Sequence, residues 1–188
     1  MIYSDTCHQR AFLAAGGESH MHVLEADSST SETHTLTNSR GRESFLRMIR
    51  FLKPLPGFEK LRIERLQPET GVRETYRIVG EMTVTREDYV SGRKFPDAVA
   101  YSFYPIDLHD EQGVRPKPLA ESVVPTIPLG ALIPKGSRNV LVAGRCLSSD
   151  RLANSALRVQ ASCMAMGQAV GVTAALAARS GSTPSRVP

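Results

Sequence analysis

Apolar positions fall at helical spacing in one stretch near the N-terminal third, where Phe45, Leu46, Ile49 and Leu52 alternate with Arg42, Arg47, Arg50 and Lys53. That pattern predicts an amphipathic helix with a basic, solvated face over a core-facing stripe. Strand spacing follows. Leu61, Ile63 and Leu66 suggest one strand, Tyr76 and Ile78 a second, and Val99, Tyr101 and Phe103 a third. Between the last two, Thr85 followed three residues later by Asp88 has the form of a helix N-cap, with a short helix to Ser91 ended by Gly92. Pro125, Pro128 and Pro134 punctuate extended edge segments. Val140, Leu141, Val142 and Ala143 form an unbroken apolar run, which predicts a strand buried on both faces. A long helix is expected from Gln160 or Ala161 to about Arg179, stopped by Gly181 and Pro184.

That last helix has an unusual face. Gly167, Gly171 and Ala175 recur every four residues, so one side is nearly bare backbone and something is expected to approach it closely. A membrane span would also use such spacing, but the run from Ala161 to Ala178 holds Gln168, Thr173 and many weakly hydrophobic alanines, so no membrane is expected. Residues 1 to about 38, with Gly16, Gly17 and the run SSTSETHTLTNS, have little periodicity and are expected to be irregular or linker-like.

The junction between the apolar run and the long helix carries the most chemistry. Gly144 allows a sharp turn and a close ligand approach, and Arg145 beside it offers a planar cationic fork for a phosphate or an electron-rich ring. An ordinary strand-to-loop turn with a surface arginine fits the same residues. The helix start exposes unpaired N–H groups of partial positive charge, with Arg158 just before it. Elsewhere Asp107, Leu108, His109 and Asp110 place three metal-binding or proton-transfer groups in four residues. In a strand, Asp107 and His109 would share a face. Arg73 and Glu74 read equally as an ion pair at the start of a strand or as functional charges.

Several other chemistries find no support. There is no Gly-x-Ser-x-Gly elbow for a nucleophilic serine and no phosphate-binding Gly-x-x-x-x-Gly-Lys motif. His8, His20, His22 and His34 are scattered without a completing ligand pattern, so no metal is expected. Cys7, Cys146 and Cys163 form no Cys-x-x-Cys pair, which fits a reducing cytoplasm; the latter two are expected as packing residues, with a redox thiol as the alternative. Lys and Arg total 23 against 19 Asp and Glu, a mild excess that does not call for nucleic acid. Nothing near the N-terminus has a charged segment followed by an apolar run, so a cytoplasmic location is expected.

VPTIPLGALIPKGSRNVLVAGRC followed by ALRVQASCMAMGQAVGVTAALA resembles the C-terminal segment of the FAD-dependent oxidoreductase family, of the glutathione-reductase-like flavoprotein class. The resemblance extends upstream through GVRETYRIVGEMTVTREDYVSGRKFPDAVA and YPIDLHD, about residues 41 to 180. It implies an α+β chain forming part of an α/β flavoprotein fold, with a mixed, mostly antiparallel substrate-domain sheet plus a returning buried strand and a long C-terminal helix of the FAD domain. The implied divisions are a linker-like segment 1–38, a substrate-domain-like region 39–133, the C-terminal part of an FAD-binding domain 134–182, and a tail 183–188.

FAD is the implied cofactor. Gly144 and Arg145 match the loop that approaches its diphosphate and ribityl chain, and Arg158, Val159, Gln160 and Ala161 match the helix entry that faces the flavin pyrimidine edge. Arg73 and Glu74 match a charged motif of the second domain, and Arg73 and His109 are the candidate catalytic residues. The implied activity is hydride transfer between flavin and a small-molecule substrate. No Gly-x-Gly-x-x-Gly fingerprint lies between a strand and a helix. The alternative is therefore a catalytically silent remnant or partner-binding module, completed by self-association or by a polypeptide supplying the dinucleotide-binding half.

Overall fold

The computed structural model describes residues 27–187 apart from 108, 111, 112 and 115, and for 109, 110, 113 and 114 it describes the backbone alone. Expectations for Cys7, His8, Gly16, Gly17, His20 and His22, and for the side chain of His109, lie outside these residues. The chain divides into two compact units at Val72/Arg73, inside the region expected to be one substrate-domain-like part.

The described part of the first unit is built on α1, Ser31–Leu52, a helix of 22 residues. It begins inside the stretch expected to be irregular. The reason is local: Thr30 caps Thr33 N–H while the Thr33 hydroxyl returns to the Thr30 backbone, and this reciprocal box stabilises a first turn whose residues have only modest helix propensity. Further along, the expected apolar stripe holds at Phe45, Ile49 and Leu52 but not at Leu46, which is exposed. Met48, Leu52 and Phe58 form a small buried cluster, flanked by Phe45, Ile49, Leu55 and Leu61. The strand expected from Leu61 to Leu66 does not form, and Ile63 and Leu66 are exposed. Instead the returning chain is fastened to the helix by side chains, with Thr70 N–H donating to Asn38 Oδ1 at 2.7 Å and Arg42 Nη2 to the Pro68 carbonyl at 2.8 Å.

The second unit holds the remaining elements. Helix α2, Arg86–Ser91, has the expected Thr85/Asp88 capping box, and Gly92 ends it in the left-handed conformation. Strand β1, Ala98–Tyr101, pairs antiparallel with β4, Thr126–Pro128, and β2, His109–Asp110, pairs antiparallel with β3, Gly113–Val114. A 3-10 turn over Leu129–Leu132 leads to α3, Arg151–Leu157, and α4, Gln160–Ser180, and a short 3-10 turn follows over Pro184–Arg186. The architecture is thus α+β with antiparallel pairings. Those pairings are two separate ribbons among the described residues, rather than one sheet.

Tyr76 and Ile78 do not form a regular strand. Their segment runs extended between two others, bonded irregularly through Ile78 N–H to the Cys146 carbonyl, Glu81 N–H to Ile133, and Val84 N–H to Ser148. Gly80 sits where these backbones meet: a Cβ there would lie 2.7 Å from Ser148 Cβ and 2.9 Å from the Gly130 carbonyl, so only glycine fits. Around this crossing lies the core of the unit, with Val84, Tyr89, Ile127, Leu132, Leu147 and Leu157 all essentially sealed from solvent. Tyr89 also carries a polar chain through it. Its hydroxyl donates to the Tyr104 carbonyl at 2.7 Å and meets Ser102 Oγ at 2.9 Å, which in turn meets Ser162 Oγ of α4 at 3.1 Å. Burial pushes the Tyr89 phenol above its ordinary value, so it stays a neutral donor.

Two expectations about the C-terminal part are corrected. Val140–Ala143 is not a strand buried on both faces; Val140 is 51% exposed, and among the described residues the run's backbone tie is Val142 N–H to the Leu132 carbonyl. A strand forms only where a neighbour pairs regularly along its edge, and among the described residues this run has no such pairing. Helix α4 has the expected limits and Gly181 C-cap, but among the described residues nothing approaches its glycine face: a Cβ added at Gly167 or Gly171 would meet none of their atoms within 4 Å. Its buried face carries Ser162, Met166, Thr173 and Ala177, while Met164 and Val172 are exposed. It is the one helix among the described residues long and apolar enough to cross a membrane, by length and composition alone.

The α2 cap yields a pH prediction. Partial burial raises the Asp88 pKa, but the ion pair with Arg93 at 2.7 Å and the bonds from Thr85 N–H and Oγ outweigh it, leaving the carboxyl below its ordinary value. Its stabilising contribution is therefore present above the unfolded aspartate pKa and is lost as pH falls through the lower folded one. Thr85→Ala is expected to cost about 1 kcal/mol by urea denaturation. In Asp88→Asn this part of the acid dependence should vanish; an unchanged acid limb would remove Asp88 as its source.

Candidate functional site

Three short segments converge in the second unit. The first is the turn after Ala143. Gly144 has φ +94, and Leu147 N–H closes the turn on the Gly144 carbonyl at 3.1 Å. A left-handed residue here sends the chain back into the core, so that Leu147, Ser148 and Ser149 are buried while Arg145 stays exposed. The turn lies against the first turn of α4, since a Cβ on Gly144 would stand 3.9 Å from Cys163 Sγ.

The second segment is the junction of α3 and α4. Asp150 caps α3 by accepting from Ala153 N–H at 2.8 Å, and its other oxygen accepts from Arg86 N–H at 2.6 Å. Arg158 ends α3 with φ −79 and ψ 1, and Val159 opens α4 in an extended conformation. Valine has no side-chain acceptor, so the N–H groups at the start of α4 are not capped by it, and Gln160 and Ala161 are exposed. That end of the helix carries partial positive charge.

The third segment begins at Arg73. The Arg158 guanidinium lies 3.4 Å from Glu74 Oε2 and donates through Nη2 to the Asp107 carbonyl at 3.2 Å. Glu74 Oε1 is 3.3 Å from Arg77 Nη1, and Arg73 Nη1 is 3.7 Å from Asp107 Oδ2. Arg145 Nη1 reaches the Arg73 carbonyl at 3.4 Å. Ser155 Oγ accepts from Asp107 N–H at 3.1 Å and holds that residue against α3. Among the described residues four arginines thus share one neighbourhood with two carboxylates.

Burial pushes the Arg158 guanidinium below its ordinary value; attraction to Glu74 opposes this, Arg73 adds to it, and Asp107 opposes it again. An arginine remains protonated under such a shift, so Arg158 is a fixed cation. Burial also raises the Cys163 thiol, against the pull of Arg145, with Cys146 adding to the rise. Cys163 is consequently a neutral thiol at neutral pH. Among the described residues no three His, Cys, Asp or Glu side chains gather as metal ligands would.

Of the residues singled out from sequence, Arg73, Gly144, Arg145, Arg158, Val159, Gln160 and Ala161 are gathered around these three segments. His109 is placed by its backbone, in β2 opposite Val114. Asp107 is not in a strand with it, since the chain at Ile106 makes only an isolated bridge to Lys117. The sequence reading missed Arg77 and Asn154. Asn154 had a usable signal, because an asparagine inside a short helix is unfavourable unless its side chain has work elsewhere.

The family model described as FAD dependent oxidoreductase matches residues 5–188, which includes the N-terminal stretch outside the resemblance noted from motifs. The chain matches no curated protein and no solved structure.

Proposed function

Because this chain belongs to the family of FAD dependent oxidoreductases, whose cofactor is FAD, we propose that it forms the flavin-side portion of such an enzyme and takes part in hydride transfer with a small-molecule substrate. One observation carries this reading: the left-handed Gly144 turn rests on the uncapped first turn of α4, with the exposed Arg145 between that turn and the Arg73–Glu74 segment. A bare turn, an arginine fork and a positively polarised helix end together suit an anionic, planar cofactor.

In this reading Gly144 admits the close approach and Arg145 meets the cofactor's negative charge. The N–H groups of Gln160 and Ala161, with Arg158 behind them, would favour negative charge on the bound cofactor. FAD, when bound, supplies reversible acceptance of a hydride equivalent. Arg73, half exposed beside Asp107, orients the substrate, and His109 is the candidate proton-transfer residue. The setting is a reducing cytoplasm.

A second reading, a partner-binding module without turnover, is favoured by the open face of α4 at Gly167 and Gly171 and by the exposure of Val140. The two separate by experiment. After incubation with FAD and desalting, the purified chain is expected to keep a yellow, spectrally perturbed flavin whose fluorescence is quenched. A colourless chain would overturn cofactor binding by this polypeptide alone and leave the module reading.

A further inference from the structure

Asn154 is fully buried in α3, and its amide has a specific outlet. Nδ2 donates to the Arg145 carbonyl at 3.0 Å and to Ser149 Oγ at 3.2 Å. The backbone of Asn154 is itself held, its N–H bonding to the Asp150 carbonyl at 2.9 Å while Arg158 N–H bonds to its own carbonyl at 2.9 Å. One side chain therefore joins the Arg145 turn to the helix that ends in Arg158.

We infer that Asn154 is a positioning residue that sets the Gly144–Arg145 turn for the cofactor; this rests on the proposed flavin-side role. The physical case is a matter of donors. Arg145 follows a left-handed glycine, its side chain is exposed, and its carbonyl points inward, where an unmet acceptor would cost free energy. Asn154 supplies that donor from a rigid, capped helix, so the turn keeps one geometry when nothing is bound. Because the same helix ends at Arg158, the arginine fork and the cation behind the α4 entry are held in fixed register. Asn154 touches neither substrate nor cofactor in this scheme. Ser149 shares the amide but does not reach the turn carbonyl through it, which makes it a useful control.

The test uses the full chain and the variants Asn154→Asp and Ser149→Ala. The aspartate is isosteric but turns an acceptor toward the Arg145 carbonyl. Amide hydrogen exchange over residues 145–148 is expected to speed up in Asn154→Asp and stay near wild type in Ser149→Ala. FAD affinity, followed by flavin fluorescence quenching, is expected to weaken about tenfold in Asn154→Asp, the loss of one buried hydrogen bond. The visible flavin bands should shift in the same variant, which a merely structural role would not produce. Unchanged exchange in Asn154→Asp overturns the inference, as does equal loss of FAD affinity in both variants. If wild type itself binds no FAD, the flavin-side reading fails and the inference falls with it, a result distinct from either of these.

Discussion

Arg158→Met is expected to destabilise the protein by about 2–3 kcal/mol, at or below the low end of the cost of breaking a buried ion pair, because Arg158 and Glu74 are both only partly buried. The methionine fills a similar volume but leaves Glu74 Oε2, 3.4 Å from the lost guanidinium, and the Asp107 carbonyl, 3.2 Å from it, without that donor. Glu74 retains Arg77 at 3.3 Å on its other oxygen, which is why the loss stays at the low end. Arg158→Lys should fall between, because a point charge does not span two acceptors as the planar fork does. Urea denaturation of the full chain measures both. A loss under about 1 kcal/mol for the methionine variant would mean that the cluster behaves like an exposed ion pair. A double variant, Arg158→Met with Glu74→Gln, should recover part of the loss, since it removes the stranded charge along with its partner.

Gly144→Val is expected to cost about 1–3 kcal/mol and to abolish FAD retention. The energetic part is conformational: φ +94 is a region a β-branched residue rarely adopts. It is not a clash with the core, because a Cβ would meet only Cys163 Sγ, at the ordinary distance of 3.9 Å. The functional part comes from the same cause, since a valine flips the turn and carries Arg145 away from the Arg73 carbonyl. Gly144→Ala separates the two effects, retaining much of the strain with a smaller side chain. Thermal melting reads the first effect and flavin fluorescence the second. Valine-variant protein that keeps FAD at wild-type affinity would sink the role given to this turn.

The parts legible from sequence were those fixed by residues close in the chain. Helix α4 and its Gly181 cap, helix α2 with the Thr85/Asp88 box and Gly92 stop, and the apolar stripe of α1 all depend on neighbours within one or two turns. The Gly144–Arg145 turn was legible for the same reason. The start of α1 was missed because a Thr-rich run has weak propensity, and one reciprocal cap at Thr30 and Thr33 decided it. The strands expected at Leu61–Leu66 and Val140–Ala143 do not form because an apolar run states only that a strand would be stable if paired.

By itself the sequence determined the family, the limits of α2 and α4, and most of the residues with chemistry to offer. Only the tertiary structure decided which of them meet. Arg158 faces Glu74 across 84 positions of chain, and Arg145 reaches Arg73 across 72. Such contacts arise from buried charges and carbonyls needing donors wherever the fold brings them together. An asparagine inside a short helix hints at such a need for Asn154 but names no partner, and nothing local marks Arg77, so their roles became visible only once the chain was folded.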